Sequence, residues 1–580
     1  MRRLIYIFII GLLLCSYTWA DGSRYASNSL LSEGKWVKIR VDKTGIYKLS
    51  YADLKNMGFS DPSKVSVHGY GGWPLDEDFS KEYIDDVPST PVWRGSDYLL
   101  FYGKGSVKWE YDSSSQTFVH TNNPYSLYGY YFVTDATPTN DMTSVAQASG
   151  ASTRITTYDD YLLHEQELVS VNQSGREFFG EDFSGARPRT ISTFSSIPGI
   201  TDADGKVTMR FISRINSGSG TASLSINDSE LLDITIPSIQ TVSSNVRSYT
   251  KAIPGTTTAL WKGSKSEKNN VVVSYSSSGH TNVRLDYIRM QFVRTLRPYG
   301  ACTFFRSLTS VGNASRFVIS EANSNTLVFD VTDALNVKRV EADLNGSELS
   351  FTIPAGRLRE FVLVQTNQTF PSPEVVGEVA SSNLHGLEQR DMIIISAPSL
   401  VQQAERLAVA HREKDGLTVE VVTPEAIYNE FSSGTPDATA YRRLMKMFYD
   451  RSSSLGNPPK YLLLFGDGIY DNRGISGEVQ GVSRSNMLLT FQSQESLNVY
   501  SYATDDYFAF LEDNSGSNFS RDKMCVGVGR FPIRTVTEAT QMVDKTISYM
   551  ENKDSGSWKN NVTFVADDGN NEDSFTTSHM

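Results

Sequence analysis

Two kinds of hydrophobic spacing divide the chain. Up to about residue 380, apolar and polar residues alternate in short runs separated by Ser, Gly and Asn. Val37, Ile39 and Val41 alternate with Lys38 and Arg40 ahead of Lys43-Thr44-Gly45, and similar runs recur at 65–73, 97–102, 127–134, 205–213, 221–226, 271–275 and 284–293. Such a period of two is the signature of half-buried strands, and the two runs flanking Lys43–Gly45 predict a hairpin. Residues 51–57 predict one or two helical turns, ended by Gly58. From residue 391 the spacing changes. The runs 392–396 and 461–465 are wholly apolar, as in a parallel sheet covered on both faces. Between and after them apolar residues fall at helical intervals: Leu400, Ala404, Leu407 and Ala408; Ala440, Leu444, Met447 and Phe448; Ala539, Met542, Val543 and Ile547. Ser399 with Gln402, Thr423-Pro424, Thr435-Pro436 and Thr535 with Glu538 predict the helix starts. Further strands are expected at 417–422, 524–531 and 562–566. Strands alternating with helices of this length imply a parallel sheet with right-handed crossovers.

This spacing divides the molecule into an N-terminal β-rich domain over 21–150, a β-sandwich over 151–380 and an α/β domain over 381–580. A chain of 580 residues is too long for one core. Residues 1–20 read as a secretory signal peptide: Arg2-Arg3, an apolar stretch over 4–14 and Ala20 at the cut. Export to the cell surface, the outer membrane or the periplasm is the expected localisation. No later segment reaches the roughly 20 apolar residues that a membrane helix needs. The net charge of −12 argues against nucleic acid as a partner.

The leader removed, Cys302 and Cys525 are the remaining cysteines, too few for a disulfide framework. Cys525 falls in an expected strand and reads as a buried, inert thiol; Cys302 has no activating neighbour in sequence. His68, alone in its stretch, reads as packing. Residues 163–168 (Leu-His-Glu-Gln-Glu-Leu) start like a zinc-protease helix but lack the second histidine one turn on.

Chemistry is expected at the carboxyl ends of the parallel strands, where open α/β sheets bind their ligands. Asp467 ends the 461–465 run inside Gly466-Asp467-Gly468, Asp505-Asp506 lies in the loop that follows, and Asp567-Asp568 ends the last run. Carboxylates so placed, with backbone carbonyls nearby, suit a hard cation such as calcium, or else each caps a turn or helix. Asp568 could also orient a histidine.

Residues 391–395, 460–467, Thr504-Asp505-Asp506-Tyr507 and 526–532 (Val-Gly-Val-Gly-Arg-Phe-Pro) resemble the first half of a gingipain-family cysteine peptidase domain. The earlier stretches Gly34-Lys35-Trp36, 43–48, 69–73 and 174–180 resemble more narrowly the branch of that family that serves as the sortase of type IX secretion. The resemblance implies a multidomain protein in which all-β domains precede the first half of a caspase-like α/β parallel sheet. It implies a cysteine-type activity that removes the C-terminal signal from secreted cargo and links the cargo to a surface acceptor, with outer-membrane secretion-system proteins as partners. It places a calcium ion on Asp467, Asp505 and the carbonyls of Tyr502 and Tyr507, with Ala509 where the family can offer a glutamate. It also places Asp568 beside the catalytic histidine and Thr576, three residues before His579, in the specificity pocket. The family's Gly-His-Gly turn and strand-end cysteine are not in this sequence, so the chain is expected to be an N-terminal fragment. The alternative class is a non-catalytic β-rich surface or adhesion protein with a degenerate α/β binding module.

Overall fold

The computed structural model describes residues 24–185, 187–239, 250–277, 279–476, 486–498, 500–553 and 556–563. The signal peptide expected over 1–20 lies outside the described residues, as do Asp567, Asp568, Thr576 and His579.

Among the described residues the N-terminal unit has two larger sheets and a separate hairpin, Val107–Asp112 with Thr117–Asn122. Val37–Val41 pairs with Gly129–Thr134, whose other edge takes Ser66–His68. Gly45–Ser50 pairs instead with Tyr98–Gly103 in a separate sheet. The hairpin expected around Lys43 therefore does not form: the chain turns a corner between two sheets, and Val37, Ile39 and Val41 from one and Tyr47 and Leu49 from the other close a shared core. The helix Tyr51–Asn56 follows under a Ser50/Asp53 capping box.

The single sandwich expected over 151–380 is two. Strands Thr157–Glu165, Gly205–Ile215, Ile253–Trp261 and His280–Thr295 form one sheet, and a second, containing Ser219–Ile226 and Val271–Ser276, packs on it through Val207, Phe211, Leu224 and Val273. The other sandwich takes Cys302–Phe305, Thr326–Asp330 and Phe361–Gln365 in one sheet and Ser315–Ile319 and Glu348–Ile353 in the other. Its core is a cluster of Phe305, Phe317, Phe351 and Phe361, with ring centroids 5.2 to 6.3 Å apart. Ser144–Val145 and Thr153–Ile155 belong to this sandwich too, so no domain boundary falls at 150. Glu374–Glu378 then returns to the edge of Val37–Val41. Alternation reports a buried face but not its partner sheet, and two adjacent sandwiches have the same period as one.

The α/β domain runs β1 (Met392–Ser396), α1 (Val401–Ala410), β2 (Val419–Val422), α2 (Pro424–Phe431), α3 (Ala438–Leu455), β3 (Tyr461–Phe465), β4 (Gly527–Phe531) and α4 (Val536–Glu551). Among the described residues its sheet has the order β2-β1-β3-β4, all parallel, as the wholly apolar runs required. Two predicted caps move. Ser399 sits in a short 3-10 turn and bonds to Asn486, and the cap of α3 is Asp437, which accepts from Thr439 N at 2.8 Å. The Thr535/Glu538 capping box forms as expected. Asn561, Val562 and Thr563 are not in a strand, and 564–566 lie outside the described residues. Among the described residues, no helix is long and apolar enough to cross a membrane.

Helix α3 is buried on every face over its first eleven residues: each residue from Ala438 to Phe448 is buried, Arg442, Arg443 and Lys446 included. One face lies on the sheet and the other against the N-terminal unit. Arg442 donates to the carbonyls of Phe510 and Glu77, each at 2.6 Å, and to Ser515 Oγ at 2.7 Å, with Phe79 stacked 3.8 Å from its guanidinium. Glu77 approaches so closely that a Cβ on Gly516 (φ +100°) would lie 1.7 Å from its carbonyl oxygen. Lys446 pairs with Asp450 at 2.6 Å and Asp513 at 2.7 Å, and Tyr25 O–H donates to Asp450 at 2.7 Å.

A second clamp lies at the segment entering the α/β domain. His385 Nδ1 lies 2.7 Å from Glu430 Oε2, and Nε2 lies 3.0 Å from Asp85 of the N-terminal unit. Burial opposes a charge on this imidazole, but hydrogen bonds to the two carboxylates and their charges outweigh it and push the group from 6.5 up to about 9.

Removing the Arg442 fork by Arg442→Ala should destabilise the chain by about 3 kcal/mol or more, with Arg442→Lys a poor substitute, because three buried acceptors lose charged donors; urea unfolding measures both. Because the folded state holds the His385 proton more tightly than the unfolded one, the clamp contributes fully below about pH 6.5 and is lost as pH rises through about 9. The melting difference between the native chain and His385→Gln should therefore shrink between pH 6 and pH 9.5, and a difference that stays constant would contradict the assignment.

Candidate functional site

The order β2-β1-β3-β4 puts the topological switch point between β1 and β3, at Ser396 and Phe465. The backbone there is stitched beyond the strands: Ala397 N donates to Phe465 O at 3.1 Å, Gly466 N to Phe531 O at 3.2 Å and Asp467 N to Ile533 O at 3.0 Å. Asp467-Gly468 then pairs in parallel with Met487-Leu488. A Cβ on Gly468 would lie 2.3 Å from Thr490 Cγ2, so this close approach requires glycine.

Asp467 is delivered to the strand end as the apolar run predicted, and it is paired there. Its Oδ2 accepts from Arg534 Nε at 2.5 Å and its Oδ1 from Gly468 N at 2.8 Å. Asp505 meets Arg530 in a two-pronged pair at 2.8 Å on each oxygen. Arg530 also donates to the carbonyls of Gly466 at 3.2 Å and Leu489 at 3.3 Å. One guanidinium at the end of β4 thus joins the Asp505 loop to the corner carrying Asp467.

The structure brings Asp467 and Asp505 to the same strand ends but does not make a cation site of the four expected ligands. Each carboxylate already faces an arginine, the Tyr502 carbonyl accepts from Ser493 N at 2.9 Å, and the Tyr507 carbonyl accepts from Phe510 N at 3.4 Å. Among the described residues, no group of three or more His, Cys, Asp or Glu side chains could hold a metal ion. In this arrangement the residues do not fit calcium. Tyr507 and Asp505 take separate parts. Tyr507 is fully buried, with its phenol 2.8 Å from Thr439 Oγ1 on α3 and its ring stacked 3.9 Å from Phe491. Tyr502 is nearly half exposed.

Arg530 and Arg534 are the residues that sequence reasoning missed. A signal existed: carboxylates gathered at strand ends need cations, and Arg530 lies on the neighbouring strand's carboxyl end. Neither cysteine is paired with a histidine among the described residues. Burial pushes the Cys302 thiol from 9.0 up to about 12. Cys525 is half-exposed and lies outside β4, which corrects the buried strand position expected of it; its Sγ contacts Lys523 O at 3.7 Å. His68 is packing, buried edge-on against Trp36 at 5.1 Å with Nδ1 on Val87 O. His164 pairs with Glu181 at 2.7 Å on strand Thr157–Glu165, not on a zinc-binding helix.

The family model "Peptidase family C25" matches residues 385–579. No curated protein matches the chain. Among solved structures, dimeric latent PorU from Porphyromonas gingivalis is 38% identical, with a TM-score of 0.84, over 93% of this chain and 51% of that one. The chain thus spans about half the length of that PorU. A carbohydrate-binding module, CBM35 from Cellvibrio japonicus Abf62, is 15% identical over 23% of this chain and 97% of that one, with a TM-score of 0.12. A cycloisomaltooligosaccharide glucanotransferase from Paenibacillus sp. is 9% identical over 38% of this chain and 48% of that one, with a TM-score of 0.10. Scores so low carry no argument. The PorU likeness covers the β modules and the parallel sheet together, and the family match falls on the α/β domain whose strand ends carry Asp467 and Asp505: residues 385–579 are a domain of peptidase family C25, the gingipain family.

Proposed function

We propose that this chain carries the β scaffold and the peptidase-family domain of a type IX secretion sortase, a cysteine-type enzyme that removes the C-terminal signal from secreted cargo and joins the cargo to a surface acceptor. The similarity to PorU carries this reading, because it extends over 93% of the chain at 38% identity and is not confined to the peptidase domain. The β modules are the part that a general peptidase would not need, so likeness there favours the specialised activity. A leader of the type at residues 1–20 supports export, and the cell surface or outer membrane is the proposed site of action. The proposed partners are cargo proteins bearing a C-terminal signal and the outer-membrane proteins of the secretion system.

In this reading a thiolate attacks the peptide carbonyl while a histidine moves the protons. The residues described here act on that chemistry by position. The Asp505–Arg530–Gly466 junction holds the carboxyl ends of β3 and β4 in register, and α3 anchors the loop beyond them through Thr439 and Tyr507.

Two outcomes test the reading. Disrupting the gene in the organism that encodes it should leave secreted cargo with its C-terminal signal attached, seen as a mass increase equal to that segment; correctly trimmed cargo would reject the proposal. The 580-residue chain, purified alone, should show no thiol-dependent peptidase activity, with Cys525→Ala changing nothing. Activity lost in that variant would reassign Cys525 as the nucleophile.

A further inference from the structure

Three β modules leave a cavity of about 730 Å³ where they meet, within the range of about 300–1,000 Å³ that takes small ligands. The hairpin of Val107–Asp112 and Thr117–Asn122 forms one wall, strand Thr157–Glu165 of the first sandwich a second, and residues 304–306, 331–332 and 358–360 of the other sandwich a third. Trp73, Tyr102, Trp109, Phe118, Tyr161 and Phe304 make the lining strongly aromatic. Four carboxylate side chains and four lysines or arginines share it, so the lining carries no net charge that would select an ion.

The rings are fixed in place. Trp109 stacks on Tyr161 with centroids 4.0 Å apart and planes 19° from parallel, and the Arg306 guanidinium lies 4.4 Å from the Tyr161 ring centroid. Arg306 is held in turn by Glu360 at 2.6 Å and by the Asp159 carbonyl at 3.0 Å. Rings held flat before any ligand arrives favour a flat partner, because little ordering is left to be done on binding.

Two tyrosines supply an independent observation. Tyr102 is 5% exposed. Its phenol and that of Tyr161 have no hydrogen-bond partner among the described residues, yet neither oxygen is sealed: both keep accessible surface, and both residues line the cavity. Burial pushes both phenols above their ordinary 10, so each is an O–H donor at neutral pH. Hydroxyls so deep are ordinarily hydrogen-bonded, and two in one cavity have a common explanation in a ligand that brings acceptor oxygens. A sugar fits less well, since most of its hydroxyls would lie against aromatic and aliphatic side chains, where burial without a partner is costly.

We propose that this cavity between the β modules binds an uncharged, flat aromatic molecule with one or two acceptor oxygens, its ring among the aromatic side chains of the wall and its oxygens accepting from Tyr102 and Tyr161. Isothermal titration of the 580-residue chain with coumarin, an uncharged bicycle bearing a lactone, should show saturable binding. Naphthalene, of similar size without oxygen, should bind at least about fivefold more weakly, coumarin-3-carboxylate also more weakly, and methyl glucoside more weakly than either. Tyr102→Phe and Tyr161→Phe each remove a hydroxyl that has no partner in the chain. Each should leave the melting temperature and the naphthalene affinity unchanged while weakening coumarin about fivefold. The proposal is overturned if coumarin does not bind, if naphthalene binds as tightly, or if either variant leaves the coumarin affinity unchanged. Methyl glucoside binding more tightly than coumarin would overturn the aromatic assignment, and tighter binding of the carboxylate would overturn the uncharged one. Because no catalytic turnover is read, failure here leaves the sortase reading untouched.

Discussion

A stretch of helix buried on all sides must find partners for the charges it carries, and Ala438–Phe448 of α3 carries several. Burying an arginine or lysine without a partner costs several kcal/mol, which would consume much of the net stability of an ordinary domain. The N-terminal unit supplies partners to three of these groups, the Glu77 carbonyl to Arg442, the Tyr70 phenol and Ile84 carbonyl to Arg443 and the Tyr25 hydroxyl to Asp450, while Lys446 pairs with Asp450 and Asp513. The β scaffold therefore completes the α/β domain rather than decorating it. Close approaches at Gly69 and Gly516, where a side chain would strike Ser433 or Glu77, keep the two surfaces in hydrogen-bonding range.

The same helix governs the strand ends. From α3, Thr439 holds Tyr507 and Arg442 holds the Phe510 carbonyl, so the loop carrying Asp505 is pinned at its base. Asp505 then meets Arg530, and Arg530 meets Gly466, next to Asp467. A chain of directional contacts thus runs from the domain interface to the switch point of the sheet. Charge-assisted and two-pronged bonds make such a chain stiff, which is what a peptidase scaffold needs if reacting groups are to be held in one geometry.

The fold was legible where period and length are unambiguous. The apolar runs ending at Ser396 and Phe465 announced a parallel sheet, the 3.6-residue spacing announced α3 and α4, and Asp467 was placed at a strand end from Gly466-Asp467-Gly468 alone. Legibility failed where an outcome depends on distant partners. Ser399 and Thr435 look like caps but lost that role to a contact with Asn486 and to Asp437 respectively. Carboxylates that read as cation ligands turned out to face Arg530 and Arg534, one from the neighbouring strand and one from the turn before α4. Sequence spacing carries no information about which charge comes to stand opposite another across a sheet.

The order and type of the elements of the α/β domain and the β-to-α/β transition near residue 391 follow from local composition and periodicity, because short-range sterics and hydrophobic spacing decide them. Only the tertiary structure decided that Val37–Val41 and Gly45–Ser50 enter different sheets, that one expected sandwich is two, and that α3 is sealed by the N-terminal unit. Each of these depends on which surface a buried face meets, a long-range choice made by the packing of the whole molecule and not by any stretch of the chain.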